Sequence, residues 1–207
     1  MSITSKLEWR YATRLFDETK KIDSNTLEQI EDSLVLTASS FGLQPWKFII
    51  VENQDLKNEL TPASFGQPQT NTCSHLVVFT ALKTITTNYI DVFVNHIAET
   101  RGTTLDKLAA YKDMMKGFLL SDNFDTRAWA KNQCYIALGN LLTVCADLQI
   151  DTCAMEGIIQ EQYNAILDVD SNYTTVVACA IGYRSANDAY AGAKKVRFHK
   201  EQVIVKK

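Results

Sequence analysis

Apolar positions follow two rhythms along this chain, and each change from one to the other marks a boundary between elements. Ile3 and Leu7 fall on one face of a short helix over residues 2–9, which Ser2 can cap. Leu27, Ile30 and Leu34 recur at helical spacing over about 25–37, with Ile22 and Ser24 ahead of them as staple and cap candidates. The run Trp46-Lys47-Phe48-Ile49-Ile50-Val51 is then β-branched and aromatic, which predicts a strand. Asn53 or Asp55 can cap a short helix that Pro62 limits.

His75-Leu76-Val77-Val78-Phe79-Thr80-Ala81 is continuously apolar and predicts an interior strand. Helices are predicted over about 88–101, ended by Gly102, and over about 104–120, with Gly117 a soft spot near its end. The longest helical pattern, about 122–148, is apolar on most sides between Cys134 and Cys145, so it reads as the central core helix. Its Gln133 and Asn140 then need hydrogen-bond partners. A short strand, Ile150 to Met155, ends in Glu156-Gly157; a helix over about 160–167 leads to a strand over 173–183. Val203-Ile204-Val205 predicts a last strand with nothing left at that end to pair with, which points to pairing with a second subunit.

Between the second helix and the first strand lies Ser39-Ser40-Phe41-Gly42-Leu43-Gln44-Pro45-Trp46. Gly42 permits backbone conformations other residues avoid, and Pro45 pushes Gln44 out of the helical region. The turn leaves hydroxyls and amides free to meet a ligand.

Composition narrows the function classes. The 207 residues, 46% hydrophobic and 22% charged with 8 Gly and 3 Pro, fit one ordered domain without a dividing linker. A net charge of −3 with scattered Lys and Arg argues against a nucleic-acid or anionic-membrane surface. No apolar run is long enough for a signal peptide or a membrane span, so the expectation is a soluble cytoplasmic protein. The five cysteines sit mostly in apolar runs at no C-x-x-C spacing, as buried small hydrophobes in a reducing compartment would.

Chemistry-bearing residues are few. Arg10 and Arg14 stand four apart with small residues between, and arginine's rigid fork suits phosphate. Gln67 and Gln69 in a turn-like segment offer donor and acceptor together, which suits an amide-containing ring such as a flavin's pyrimidine. Gly157 would let a ligand approach the backbone closely. A thiol or metal site built on Cys73 and His75 lacks an H-E-x-x-H or paired cysteines. Neither G-x-G-x-x-G nor G-x-x-x-x-G-K-[ST] occurs, so a nucleotide must be held in another way.

Arg10-Tyr11-Ala12-Thr13-Arg14-x-Phe16, Thr37-Ala38-Ser39-Ser40 with Pro45-Trp46-x-Phe48, Gln67-Pro68-Gln69, Glu156-Gly157 and Lys195-x-Arg197 occur in an order and spacing that resemble the FMN-dependent nitroreductase family. The chain looks like the bacterial oxygen-insensitive NAD(P)H nitroreductase and flavin reductase branch. Each motif alone is weak; their ordered conjunction over nearly the whole chain carries the resemblance.

That resemblance implies an α+β homodimer with a mixed, mostly antiparallel central sheet flanked by helices. Residues 1–207 would be a single domain whose extension, 184–207, embraces the partner subunit as a domain-swapped tail. Two FMN sites would lie at the interface. Arg10, Lys195 and Arg197 would hold the FMN phosphate; Arg14 and Gln69 would lie along the ribityl chain and the pyrimidine edge, with Tyr11, Ala12, Gln67 and Met155 also at the cofactor. Ser40, and Ser39 from the partner, would touch it too, and backbone amides at Glu156 and Gly157 would reach N5 and O4. NADH or NADPH would deliver hydride to flavin N5 and leave before a nitroaromatic, quinone or flavin takes its place, a ping-pong scheme needing no catalytic side chain. Phe41, Met115 and Phe118 would line the substrate space. Ala12 stands where many members have a serine, Tyr11 where some have histidine, Gly66 where some have asparagine and Phe41 where some have threonine. A dihydropteridine reductase, or a flavin-binding dimer without turnover, would share this apparatus.

Overall fold

The computed structural model describes residues 2–207. Four antiparallel strands form one sheet in the order β1-β2-β4-β3, with β1 Trp46–Val51, β2 His75–Leu82, β3 Asp151–Met155 and β4 Tyr173–Gly182. Every residue of β2 and β4 is buried. Val77, Phe79, Cys179 and Ile181 point into one apolar cluster, while Leu76, Val78, Ala178 and Ala180 point into another on the opposite face. A strand covered on both faces has no polar side to present, which is why these two read as unbroken apolar runs.

One face is covered by helices α2 (Ser24–Val35) and α7 (Thr126–Asp147). Asp125 caps α7 by accepting from the amide of Ala128 at 2.9 Å, and Ala130, Cys134, Ala137, Leu138, Leu141 and Cys145 bury against the sheet. Its two polar core residues are satisfied: Gln133 accepts from the amide of Ser40 at 2.8 Å and donates to the Trp129 carbonyl at 3.0 Å, and Asn140 donates to the Ser33 carbonyl at 2.8 Å. The opposite face carries α3 (Gln54–Leu60), α4 (Gln69–Thr72) and α8 (Gln160–Ile166). Helices α5 (Thr87–Arg101) and α6 (Leu105–Leu119) pack on each other over a third cluster that includes Leu82, Ile90 and Met115.

Two local expectations are corrected, and one at Gln44 is refined. Asp23, not Ser24, caps α2, accepting from the amide of Thr26 at 3.0 Å; a carboxylate one residue earlier is placed where the free amides point. Gln44, as expected, leaves the right-handed helical region: it adopts φ +51°, held there by its amide on Ser39 Oγ at 3.0 Å and its carboxamide on the Val35 carbonyl at 2.9 Å. The segment Val203-Ile204-Val205 is not a strand in this chain: Lys200–Val203 forms a single helical turn, α9, begun by the His199 amide donating to Gln202 Oε1 at 3.0 Å. A strand requires a ladder partner, and among the described residues no strand pairs with it.

Candidate functional site

Helix α1 (Ile3–Trp9) ends at Arg10, and residues 10–17 then run extended along the open edge of the sheet. Ala12 bridges in parallel to Thr152 of β3, the Thr13 amide donates to the Thr152 carbonyl at 3.1 Å, and Asp17 donates to the Tyr183 carbonyl at 2.8 Å. Phe16, 2% exposed, anchors the segment in the core. Two isolated bridges, parallel at Ala12 and antiparallel between Phe16 and Arg184, tie this segment to the edge of the antiparallel sheet and fix the backbone from which Arg10 and Arg14 extend.

A second wall comes from the far end of the chain. Arg184 lies between the rings of Trp9 and Tyr11, at 4.4 and 4.6 Å from their centroids, while its Nε donates to Asp151 Oδ1 at 2.8 Å. Lys195 Nζ donates to the Leu7 carbonyl at 2.7 Å and also to the Arg10 carbonyl. Between the two walls is a cavity of about 370 Å³ lined by Arg10, Tyr11, Ala12, Arg14, Lys195 and Arg197 among others.

The electrostatics of this cavity are unbalanced. Burial, then the charges of Arg10 and Arg197, push the Lys195 ammonium below the ordinary lysine range, with Glu8 opposing. Arg10 Nε is buried with no hydrogen-bond partner among the described residues. Among the described residues none of Arg10, Arg14, Lys195 and Arg197 forms an ion pair. An unmet guanidinium donor inside a group of cations is costly unless an anion supplies the acceptor.

Beside the cavity stands a polar relay. Gln69, 2% exposed, donates to Gln67 Oε1 at 3.2 Å; Gln67 Nε2 donates to the Gly157 carbonyl at 2.8 Å and the Ser64 carbonyl at 3.0 Å. A Cβ at Gly157 would sit 3.0 Å from Gln67 Nε2, so the glycine admits the relay. Cys153 joins relay and cavity: its thiol lies 3.7 Å from Gln69 Nε2, and burial raises its pKa against the opposing influence of Arg14, Gln69 and Arg10. Met155 is buried in the core, and the Glu156 side chain accepts from the Tyr135 hydroxyl, whose pKa burial and this bond push up to about 12.

The remaining expected residues form a separate set. Ser39 Oγ accepts from the Gln44 amide, the Ser40 amide donates to Gln133, and Phe41 has φ +59° with its carbonyl taking the Tyr111 hydroxyl at 2.8 Å. Phe118, 49% exposed, sets its ring edge-on to Phe41 at 5.8 Å, whereas Met115 is fully buried in the cluster below. No hydrogen bond among the described residues joins this set to the cationic cavity. Cys73 and His75 form no reactive pair: the Cys73 thiol donates to the Thr70 carbonyl at 3.3 Å and burial pushes it up to about 12, and His75 Nδ1 meets Ser74 Oγ at 3.0 Å.

Two residues outside the expected set organise the cavity, Arg184 and Asp188. Neither belongs to a motif, and the only signal for either is the nearby pair of aromatic residues, Trp9 and Tyr11, which need a partner for their faces and for a phenol.

Cations gathered by two chain ends, with Glu8 the acid beside them, line a cavity whose unmet guanidinium donor suits a phosphorylated ligand. The particular group follows from comparison: residues 7–183 match the Nitroreductase family model, and the chain belongs to that family. It is an oxidoreductase. The major NAD(P)H-flavin oxidoreductase of Aliivibrio fischeri is 36% identical over 211 residues, covering 98% of this chain and 97% of its own. A Staphylococcus haemolyticus protein whose assigned name is NAD(P)H nitroreductase is 34% identical, with coverage of 98% and 96%. A nitroreductase-type protein of Exiguobacterium sibiricum, solved in complex with FMN, shares the fold at a TM-score of 0.81 and 20% identity, covering 100% of this chain and 98% of its own. Among the described residues no helix is long and apolar enough to cross a membrane, and no cluster of three metal-ligating side chains occurs.

Proposed function

We propose that this chain is an FMN-dependent NAD(P)H oxidoreductase that passes electrons to nitroaromatics, quinones or flavins, and that it works as a homodimer. The observation that carries the reading is the cavity at Arg10, Lys195 and Arg197, where a buried Nε lacks an acceptor and a lysine is held below its ordinary pKa by cationic neighbours. A phosphate dianion supplies the missing acceptors and charge. FMN, when bound, supplies hydride transfer between a nicotinamide and the acceptor.

The chain's own residues then have defined tasks. Arg10, Lys195 and Arg197 bind the phosphate, and Ala12, lacking a side-chain donor, leaves its binding to those cations. Arg14 and Gln69 face the polar length of the cofactor, with Gln69 oriented by Gln67 and Gln67 by Gly157. The amides of Glu156 and Gly157 follow the end of β3, and Phe41 with Phe118 limits which acceptors fit.

The homodimer is supported by apolar side chains that one chain leaves in water. Val196, Phe198 and Val205 in the tail are 83%, 78% and 79% exposed, and a second subunit would cover them. Ser39 would meet the cofactor of that partner.

The test is an anaerobic visible spectrum of the purified protein before and after NADH or NADPH. A flavin band that bleaches and returns when a quinone or nitroaromatic is added is the expected outcome. Flavin that does not bleach would leave a binding protein, and failure to take up FMN would remove the cavity's assigned role.

A further inference from the structure

Asp188 is the one acid that ties both walls of the cationic cavity together. It is 6% exposed. Its Oδ2 accepts from the Tyr11 hydroxyl at 2.9 Å, the Arg14 amide at 2.8 Å and the Leu15 amide at 3.3 Å; its Oδ1 accepts from the Tyr190 amide at 2.9 Å. The first three donors belong to the segment bearing Arg10 and Arg14, and the fourth opens the loop that continues to Lys195 and Arg197. Tyr11 is held a second time by Arg184 against its ring face.

Both Asp188 oxygens are thus occupied by the protein, and a carboxylate would repel a phosphate, so its task is not to touch a ligand. Burial alone would raise its pKa, but the amides of Tyr190 and Arg14, the Tyr11 hydroxyl and the Leu15 amide outweigh it and keep the group ionised. Four donors converging on one side chain require an acceptor on every side, which only a carboxylate supplies.

We infer that Asp188 is a positioning residue that presets the phosphate cavity, holding the Arg10–Arg14 wall at a fixed separation from the Lys195–Arg197 wall before any ligand arrives. This rests on the phosphate reading above. Because the cavity cations repel one another, their spacing is set by a tether that is itself anionic and is fastened to backbone amides on both sides.

The diagnostic variant is Asp188→Asn. It keeps shape but turns an NH₂ toward the Tyr190 amide, a donor facing a donor, and so frees the wall that bears Lys195 and Arg197. Flavin-freed protein is titrated with FMN and, separately, with riboflavin, which lacks the phosphate, by quenching of flavin fluorescence. The expected result is an FMN dissociation constant raised about tenfold, with riboflavin changed by less than about twofold, so that the preference for the phosphorylated ligand collapses. Tyr11→Phe, which removes one of the four donors, should lose about threefold for FMN alone, and it carries the test if the asparagine variant does not fold. Equal weakening of FMN and riboflavin, or a preference left intact, overturns the inference. A wild-type protein that binds both flavins equally overturns the phosphate reading as well, which separates the two failures.

Discussion

Two sets of cations in this molecule are treated in opposite ways. Lys57 is fully buried, yet its Nζ donates to the Cys73 carbonyl at 2.7 Å and the Ser74 carbonyl at 3.1 Å, at the point where α4 gives way to β2. Burial lowers its pKa, and its proton donors are nevertheless engaged by the protein. Arg10 and Lys195 line a concave surface where Arg10 Nε has no partner among the described residues and cations outweigh the one acid, Glu8, in their effect on Lys195. A cation whose donors are used internally is part of the scaffold. A cation left with donors to spare in a cavity describes a ligand by its absence of partners.

The sharpest way to break this contrast is Lys57→Met. Removing the ammonium orphans two buried carbonyls, so stability should fall by about 3 kcal/mol in urea unfolding while FMN affinity changes by less than about twofold. A large loss of FMN affinity would mean that Lys57 reaches the cavity after all. Arg10→Ala should do the reverse. It removes charge-assisted bonds to a phosphate and should weaken FMN by about 2 kcal/mol, or about thirtyfold, with the stability of the flavin-free protein unchanged or slightly raised because Lys195 loses a repelling neighbour. A parallel fall in stability would make Arg10 scaffold too.

The smallest effect concerns protons. Lys195 is depressed in the free cavity by burial, Arg10 and Arg197, and a bound dianion favours its charged form. Binding should therefore take up a fraction of a proton at pH values just below the ordinary lysine range, and affinity should fall as pH rises into that range. The flavin-free protein has the opposite sign: its Lys195 pKa lies below the unfolded value, so it gains slight stability as pH rises through the same window. Calorimetry in two buffers of different ionisation enthalpy reads the proton count, and proton release would contradict the assignment.

Much of the fold was legible because pattern and environment agree. The runs His75 to Leu82 and Tyr173 to Gly182 are largely apolar since both faces are covered, and α7 announced itself by length, although the Asp125 cap starts it at Thr126, later than the expected 122. The cationic residues at both ends could be named in order, and one chain brings Arg10, Tyr11, Ala12, Arg14, Lys195 and Arg197 to one cavity. Other features depend on contacts that no local pattern encodes. Asp188 sits in Asn187-Asp188-Ala189 without a motif, and its four donors are supplied by residues some 175 positions away and by its own loop. Phe41, Gln44 and Phe65 adopt left-handed backbone without being glycine, because surrounding hydrogen bonds override the intrinsic preference. Val203 to Val205 has strand composition, but a strand is completed by its neighbour, and within one chain that neighbour is missing.

The contact between Lys195 and the Arg10 carbonyl joins residues 185 positions apart in sequence. At translation speeds of about 5–20 residues per second, the two walls of the cavity are synthesised roughly 10–40 s apart. Through that interval the first wall exists with its arginines and without Asp188, Lys195 or Arg197. The pocket is therefore absent from the nascent chain while most of the sheet is being made, and the phosphate capture proposed for it would follow synthesis of the last strand, β4, instead of forming a nucleus around which the chain folds.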